Sequence, residues 1–287
     1  TTYVSESNQE DFENGKYWGE TLKTYDASGS DVVNVHEEEV EIVADVPEGT
    51  TLKDVLNGTV TMEEFVASLT LYELSCLCSG IGGYAEAPED YDVTLAIGAP
   101  GYTTNTMEES KGIPTTAYAD GPTGLRLNRE FTYDGETYYQ YVTCIPAGSV
   151  YCQSWDTEVI ELAGDIVGRE CEQYGATYVL GPGLNIQRDP LCGRNYEYYS
   201  EDPTLCGVTA TSFIKGVQQH EGISVSPKHF AGNNQETDRT TVNTSATERT
   251  WREIYLKGFE MLVKNAAPAT IMTSYNLVNG TEAAENY

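Results

Sequence analysis

The sequence predicts an α/β fold: an incomplete (β/α)8 TIM-like barrel of about five βα units, preceded by an extended linker segment. Three observations predict it. From about residue 113, short apolar runs recur, each followed by a polar loop and most then by an amphipathic helix, which is the alternation of a parallel sheet. The runs are four to six residues long and apolar on both faces, as strands covered from both sides must be. Polar, chemically specific residues follow nearly every run, which favours a barrel over a doubly wound nucleotide-binding sheet. The near-match to a nucleotide-binding turn, Gly181-Pro182-Gly183, leads directly into no helix.

Along the chain, residues 1–60 are polar and acidic, with strand-like runs at Val32–Val35 and Val40–Val43 and no helix expected beyond a single turn; they read as a linker or the tail of an upstream domain. Residues 61–287 read as the first part of the barrel domain. It opens with two capping boxes, Thr61-x-x-Glu64 and Thr70-x-x-Glu73, which start a helical hairpin that Gly80 ends. Residues 81–112, rich in Gly, Pro, Asn and Thr, read as a long loop. Strands are expected at 115–119, 141–145, 177–181, 223–226 and 269–273. Three helices are expected between and after them. Residues 156–174 place Val159, Leu162, Ala163, Ile166, Val167 and Cys171 on one side. Residues 203–220 start from Asp202 as N-cap with Pro203 at the first position, and carry Val208, Phe213, Ile214 and Val217. Residues 247–265 follow a Ser245-x-x-Glu248 box and place Trp251, Ile254, Tyr255, Phe259, Leu262 and Val263 inward.

Composition narrows the function. The 287 residues carry 16 Lys plus Arg against 45 Asp plus Glu, a formal charge of −29. Such a balance argues against nucleic acid, whose phosphates need a basic surface, and against anionic membranes. It leaves neutral ligands such as sugars open, and 21 Tyr supply amphipathic faces that suit them. No apolar run is long enough for a membrane-spanning helix, and TTYVSESNQE lacks the basic start and apolar core of a signal peptide. Seven Cys form no CxxC pair, Cys76-x-Cys78 is too tight for a zinc knuckle, and the three His lie far apart. No metal or cofactor is implied.

The chemistry gathers past the strand ends. Asp120 opens DGPTGLR, which ends in Arg126; Arg194 lies in the run from Asn185 to Asp202; Lys228 and His229 follow 223–226, with Arg239 further on; Tyr275 follows 269–273. Each has a plainer reading alone: Asp120 as a turn initiator, Arg194 in a salt bridge with Glu197, Glu201 or Asp202, Tyr275 in packing. In a barrel these loops share one rim, where a carboxylate, several cations, an imidazole and an aromatic face suit a polyhydroxylated ligand; Asp120 would accept from its hydroxyls while Arg, Lys and His donate to others.

At these residues the chain resembles glycoside hydrolase family 3, the β-glucosidase and β-xylosidase group. DGPTGLR (120–126), GPGLNIQRDPLCGRNYEYYSEDP (181–203), SPKHFAGNNQETDR (226–239) and IMTSYNLVNG (271–280) carry the resemblance, with TMEEFVASLTLYELSCLCSG (61–80) similar to the opening of the family's barrel domain. The resemblance implies a pocket for a non-reducing terminal sugar lined by Asp120, Arg126, Arg194, Lys228, His229, Arg239, Met272 and Tyr275. It also implies a retaining mechanism with an Asp nucleophile and a second carboxyl as acid and base. One subgroup, the β-N-acetylglucosaminidases, carries a catalytic His in a loop after KHF. Here Ala231-Gly232-Asn233-Asn234 follows instead, which disfavours that branch.

The resemblance places the nucleophile beyond Tyr287 and the acid/base in another domain, so no catalytic carboxylate is expected among these residues. The chain is expected to be a fragment, inactive alone, whose partner is the remainder of its polypeptide or a complementary chain. Part of an exo-acting β-glucosidase is the leading expectation; a β-xylosidase and a sugar-binding module without catalysis are the alternatives. An SDW-like segment downstream of Tyr287 would decide for an enzyme.

Overall fold

The computed structural model describes residues 2–3, 46–82, 96–103 and 107–286. The strand-like runs expected at Val32–Val35 and Val40–Val43 lie outside the described residues. The helical hairpin forms as Met62–Ala67 and Leu71–Cys78. Each capping box closes reciprocally: Glu64 N donates to Thr61 Oγ1 at 3.2 Å while Thr61 N donates to the Glu64 carboxylate at 2.9 Å, and Thr70 and Glu73 repeat the pattern. A further box stands ahead of them. Thr51 N donates to the Asp54 carboxylate at 2.8 Å and starts a helix at Leu52–Leu56, inside the stretch expected to carry no more than a single helical turn.

The central element is an open sheet in the order Ile81–Gly82, Gly101–Tyr102, Ala117–Asp120, Tyr178–Leu180, Ser224–Val225. The last three strands run parallel, and the first two join them antiparallel. Two short strands and a helix at Glu108–Lys111 thus occupy the region expected to be one long loop. The run 269–273 continues the parallel order by backbone bonds: Met272 N donates to Pro227 O at 3.0 Å, Phe230 N to Met272 O at 2.8 Å and Ser274 N to Phe230 O at 2.7 Å. No closed barrel exists among the described residues.

The expected strand at 141–145 is absent. Tyr141 N donates to the Tyr174 hydroxyl at 2.9 Å and Thr143 N to the Glu170 carboxylate at 2.8 Å. Side chains of a helix therefore take the amides that a neighbouring strand would have used. Ahead of this segment, Glu130–Tyr133 and Glu136–Tyr139 form a hairpin of their own.

The helices at Thr157–Tyr174 and Pro203–Val217 cover the sheet; Asp202 caps the second as the sequence predicts, and Asp156 caps the first by accepting from Glu158 N and Val159 N. Their buried faces, and that of the 247–265 stretch, differ from expectation: Val159 and Leu162 are exposed, as are Val208, Ile254 and Val263. Glycines explain the first two. A Cβ on Gly164 would collide with the Phe213 carbonyl, and one on Gly216 with the Glu161 carbonyl. The two helices touch backbone to backbone along this seam, which turns Ile160, Ala163, Gly164, Val167, Gly168 and Cys171 inward. After Pro203–Val217, the next helical stretch begins at 247 as expected, but Thr247, whose side chain accepts from Thr250 N, caps it; the expected Ser245 box does not, because Ser245 lies in the strand Asn243–Ser245. It passes through a wider turn at Trp251–Tyr255 before Lys257–Ala266. Asn243–Ser245 belongs to a small sheet with Thr2–Tyr3, Leu277–Val278 and Thr281–Glu282.

Candidate functional site

At the C-terminal ends of the parallel strands lies a cavity of about 700 Å³. Asp120, Arg126, Arg194, Lys228, His229, Arg239, Met272 and Tyr275 all line it, brought there by four separate loops. Pro100, Leu180, Tyr196 and Glu197 complete much of the wall and were not among the residues expected there.

Asp120 ends the Ala117–Asp120 strand. The chain then doubles back through Gly121 at φ 150° and Gly124 at φ 106°. A Cβ at either glycine would strike backbone, of Gly124 and of Thr143 respectively, so only glycine fits this tight return. The return lets Arg126 N donate to Asp120 O at 2.7 Å and sets the Arg126 guanidinium against the Asp120 carboxylate. Asp120 accepts from Gly121 N at 3.2 Å, as a turn initiator would, and also from Lys228 Nζ at 3.1 Å. Burial pushes its carboxyl up, but the Lys228 ammonium, then Arg126 and the Gly121 amide, outweigh that and hold it below the usual carboxylate range.

Lys228 is held from behind by the 181–184 loop: its N donates to Pro182 O at 2.9 Å, and its O accepts from Leu184 N at 2.7 Å. Its side chain is 4% exposed, and its ammonium stands between Asp120 and Glu197, 3.6 Å from Glu197 Oε2. Arg194 Nε donates to the other oxygen of Glu197, so Glu197 faces two cations at once. Burial opposes the Arg194 charge, but the bond to Glu197 outweighs it and raises the Arg194 pKa. Arg239 pairs with Glu236 at 2.8 Å and lies 5.5 Å from the centre of the exposed Tyr275 ring, a cation–π contact at the rim.

His229 is buried, and burial, then the charges of Arg194, Lys228 and Arg239, push its pKa down to about 2. The ring is neutral. Asn185 decides which nitrogen holds the proton. Asn185 Nδ2 donates to His229 O and Asn185 Oδ1 accepts from His229 N, both at 2.9 Å, so the amide cannot turn over. Its Oδ1 then lies 3.2 Å from His229 Nδ1, as does the Tyr198 hydroxyl; the hydroxyl can either donate or accept, whereas the fixed Asn185 oxygen only accepts, so a proton on Nδ1 suits both neighbours. His229 therefore presents Nε2 as an acceptor, where the sequence reading expected a donor.

The sequence places Glu197 only in a salt bridge with Arg194, a pairing the structure contains, and not in the cavity wall. The usable signal was its place three residues after Arg194, in the same loop as a cation already singled out. Asn185 carried no such signal, because its partner lies 44 residues away.

The rim of this mixed open sheet thus carries a cavity lined by ion-paired cations and carboxylates, a neutral imidazole and aromatic side chains. The chain belongs to glycoside hydrolase family 3. Residues 103–287 match the glycosyl hydrolase family 3 N terminal domain. The chain is similar to the thermostable β-glucosidase B of Acetivibrio thermocellus, 41% identical over 228 residues, covering 79% of this chain and 28% of that protein. It is also similar to the exo-α-(1→6)-L-arabinopyranosidase of Bifidobacterium longum, 46% identical over 182 residues, with coverage of 62% and 24%. Among solved structures, β-glucosidase 3B from Thermotoga neapolitana in complex with glucose superposes with a TM-score of 0.69 at 41% identity, covering 78% of this chain and 30% of that one. The chain thus spans about a quarter to a third of the length of these relatives.

Proposed function

We propose that residues 61–287 are the first part of a (β/α)8 barrel domain that binds the non-reducing terminal sugar of a β-glucoside, within a retaining, exo-acting β-glucosidase. Residues 1–60 are the linker or the tail of a preceding domain. One observation carries the reading: Asp120, Arg194, Lys228 and His229, drawn from three loops, meet on one cavity with paired charges. The relatives named as β-glucosidases support the substrate class.

In this reading the Asp120 carboxylate accepts hydrogen bonds from neighbouring sugar hydroxyls, Lys228 and Arg194 donate to others, and His229 Nε2 accepts one more. Tyr275 covers an apolar face of the ring at the rim. Retention needs two carboxyl groups about 5–5.5 Å apart across the scissile bond, one to attack the anomeric carbon and one to protonate the leaving oxygen. Asp120, Glu197 and Glu236 are each engaged by a cation. They are poor nucleophiles, and the nucleophile and the acid/base come from polypeptide outside these residues. The partner of this chain is then the remainder of the same protein or a complementary chain.

A pentopyranoside reading draws on the 46% identity to the arabinopyranosidase. It replaces glucose by a sugar without the C6 hydroxymethyl group, as in the β-xylosidase alternative. Comparing kcat/KM of the full-length protein on aryl β-glucoside, β-xyloside and α-L-arabinopyranoside separates the three. Loss of turnover in Asp120→Asn and Lys228→Met tests the pocket itself, and turnover equal to wild type in both would refute it.

A further inference from the structure

Glu197 is 2% exposed, yet it lines the cavity. Its Oε1 accepts from Arg194 Nε. Its Oε2 accepts no hydrogen bond among the described residues and lies 3.6 Å from Lys228 Nζ. A buried carboxylate with an unfilled oxygen is costly unless nearby cations compensate it. Here it faces two of them, from two different loops. Glu197 engages Arg194 through Nε, and the guanidinium carries further N–H groups on its two terminal nitrogens. Lys228 is arranged alike, with Asp120 on one side, Glu197 on the other and the cavity ahead.

The two carboxylates around Lys228 differ in access. Asp120 keeps a side chain 20% exposed and can turn its lone pairs to a ligand. Glu197 Oε2 is sealed from solvent and cannot. Asp120 keeps its charge when ligand hydroxyls bind it but can shift toward them, whereas Glu197 stays fixed beside the ammonium. We propose that Glu197 is a positioning residue: it touches no substrate, and through one oxygen each it fixes Arg194 and Lys228 so that their remaining N–H groups meet the sugar hydroxyls. The inference rests on the reading of the cavity as a sugar pocket.

The test is a double-mutant cycle in the full-length protein with p-nitrophenyl β-D-glucopyranoside. Glu197→Gln keeps the shape and turns an amide toward a cation. Its kcat/KM should fall by about ten- to a hundredfold, with the loss shared by KM and the melting temperature within a few degrees of wild type. In a Lys228→Met background the same substitution should cost clearly less than in wild type, by at least about threefold, because one of the two groups it aims is gone and only the Arg194 share remains. An equal loss in both backgrounds, or a silent Glu197→Gln, overturns the inference and makes Glu197 a structural ion pair. If Glu197→Gln does not fold, Glu197→Asp keeps the charge but withdraws it by one methylene, and the same cycle decides by the same criterion. A Lys228→Met enzyme with unchanged kcat/KM refutes the sugar pocket and this inference with it. A crippled Lys228→Met beside a silent Glu197→Gln refutes the inference alone.

Discussion

Lys228 Nζ donates to Asp120 Oδ1 at 3.1 Å across 108 residues of sequence, joining the ends of the first and third parallel strands. This contact places the carboxylate and the ammonium on one cavity and lowers the Asp120 pKa. Changing either residue removes one of the other's two ionic partners and leaves Arg126 for Asp120 and Glu197 for Lys228.

Asp120→Asn in the full-length protein should lower kcat/KM on an aryl β-glucoside by about ten- to a hundredfold or more. Hydrogen bonds to a charged group contribute about 1.5–3 kcal/mol each, and roughly 1.4 kcal/mol is a factor of ten. Affinity for D-glucose, read by calorimetry, should fall with it. A normal kcat/KM with a lowered melting temperature would make Asp120 structural.

His229 should remain neutral across the working range. Its folded pKa, about 2, lies below the ordinary value of 6.5. The unfolded chain therefore binds a proton that the folded chain refuses, and stability falls as pH drops from about 6.5 toward 2. The slope from this one group is at most about 1.4 kcal/mol per pH unit. Imidazole NMR should show His229 protonated at Nδ1 and untitrated between pH 4 and 8, and an imidazolium signal at pH 6 would contradict this.

His220 should do the reverse. It lies 2.8 Å from Glu172 and 3.0 Å from Asp165, and Asp165 also holds Arg169 at 2.7 Å. Burial works against its charge, but the two carboxylates outweigh burial and raise its pKa. Its contribution is complete below about 6.5 and is lost as pH rises through the higher folded value. Melting temperature measured across neutral and mildly alkaline pH should decline in the wild type and decline less in His220→Gln.

The glycine seam gives a stability test free of the active site. Gly216→Ala should destabilise by about 1–3 kcal/mol or more, since its Cβ would enter the Glu161 carbonyl and a packed seam relaxes poorly. Gly193→Ala meets nothing within 4 Å and should melt near wild type. Equal melting temperatures for the two variants would mean that the helices do not touch as described.

The chain of 287 residues alone should not hydrolyse an aryl β-glucoside. Its cavity carboxylates are engaged by cations, and retention needs a free pair. Turnover at ordinary glycosidase rates from a mass-verified preparation would show that a nucleophile lies among these residues.

Much of this was legible in the sequence where a signal is local. Capping boxes at Thr61 and Thr70, and Asp202 as N-cap, declare helices within four residues, and the structure closes each. The cavity residues were legible because they lie at or past the ends of four strand runs, and parallel topology puts those ends on one rim. What failed depends on distant partners. The run 141–145 has a strand's composition, but Tyr174 and Glu170 claim its amides. Val159 and Leu162 fit a helical stripe, but the seam at Gly164 and Gly216 sets the rotation of the helix. The proton position on His229 depends on Asn185, which no local pattern connects to it.

The most direct measurement is a crystal structure of the full-length protein with D-glucose. The expected result is a sugar in this cavity, with Asp120, Lys228 and His229 Nε2 each within about 2.5–3.2 Å of a hydroxyl oxygen. Glucose bound elsewhere, with the cavity closed by the protein's own side chains, would contradict the assignment of this cavity as the sugar site.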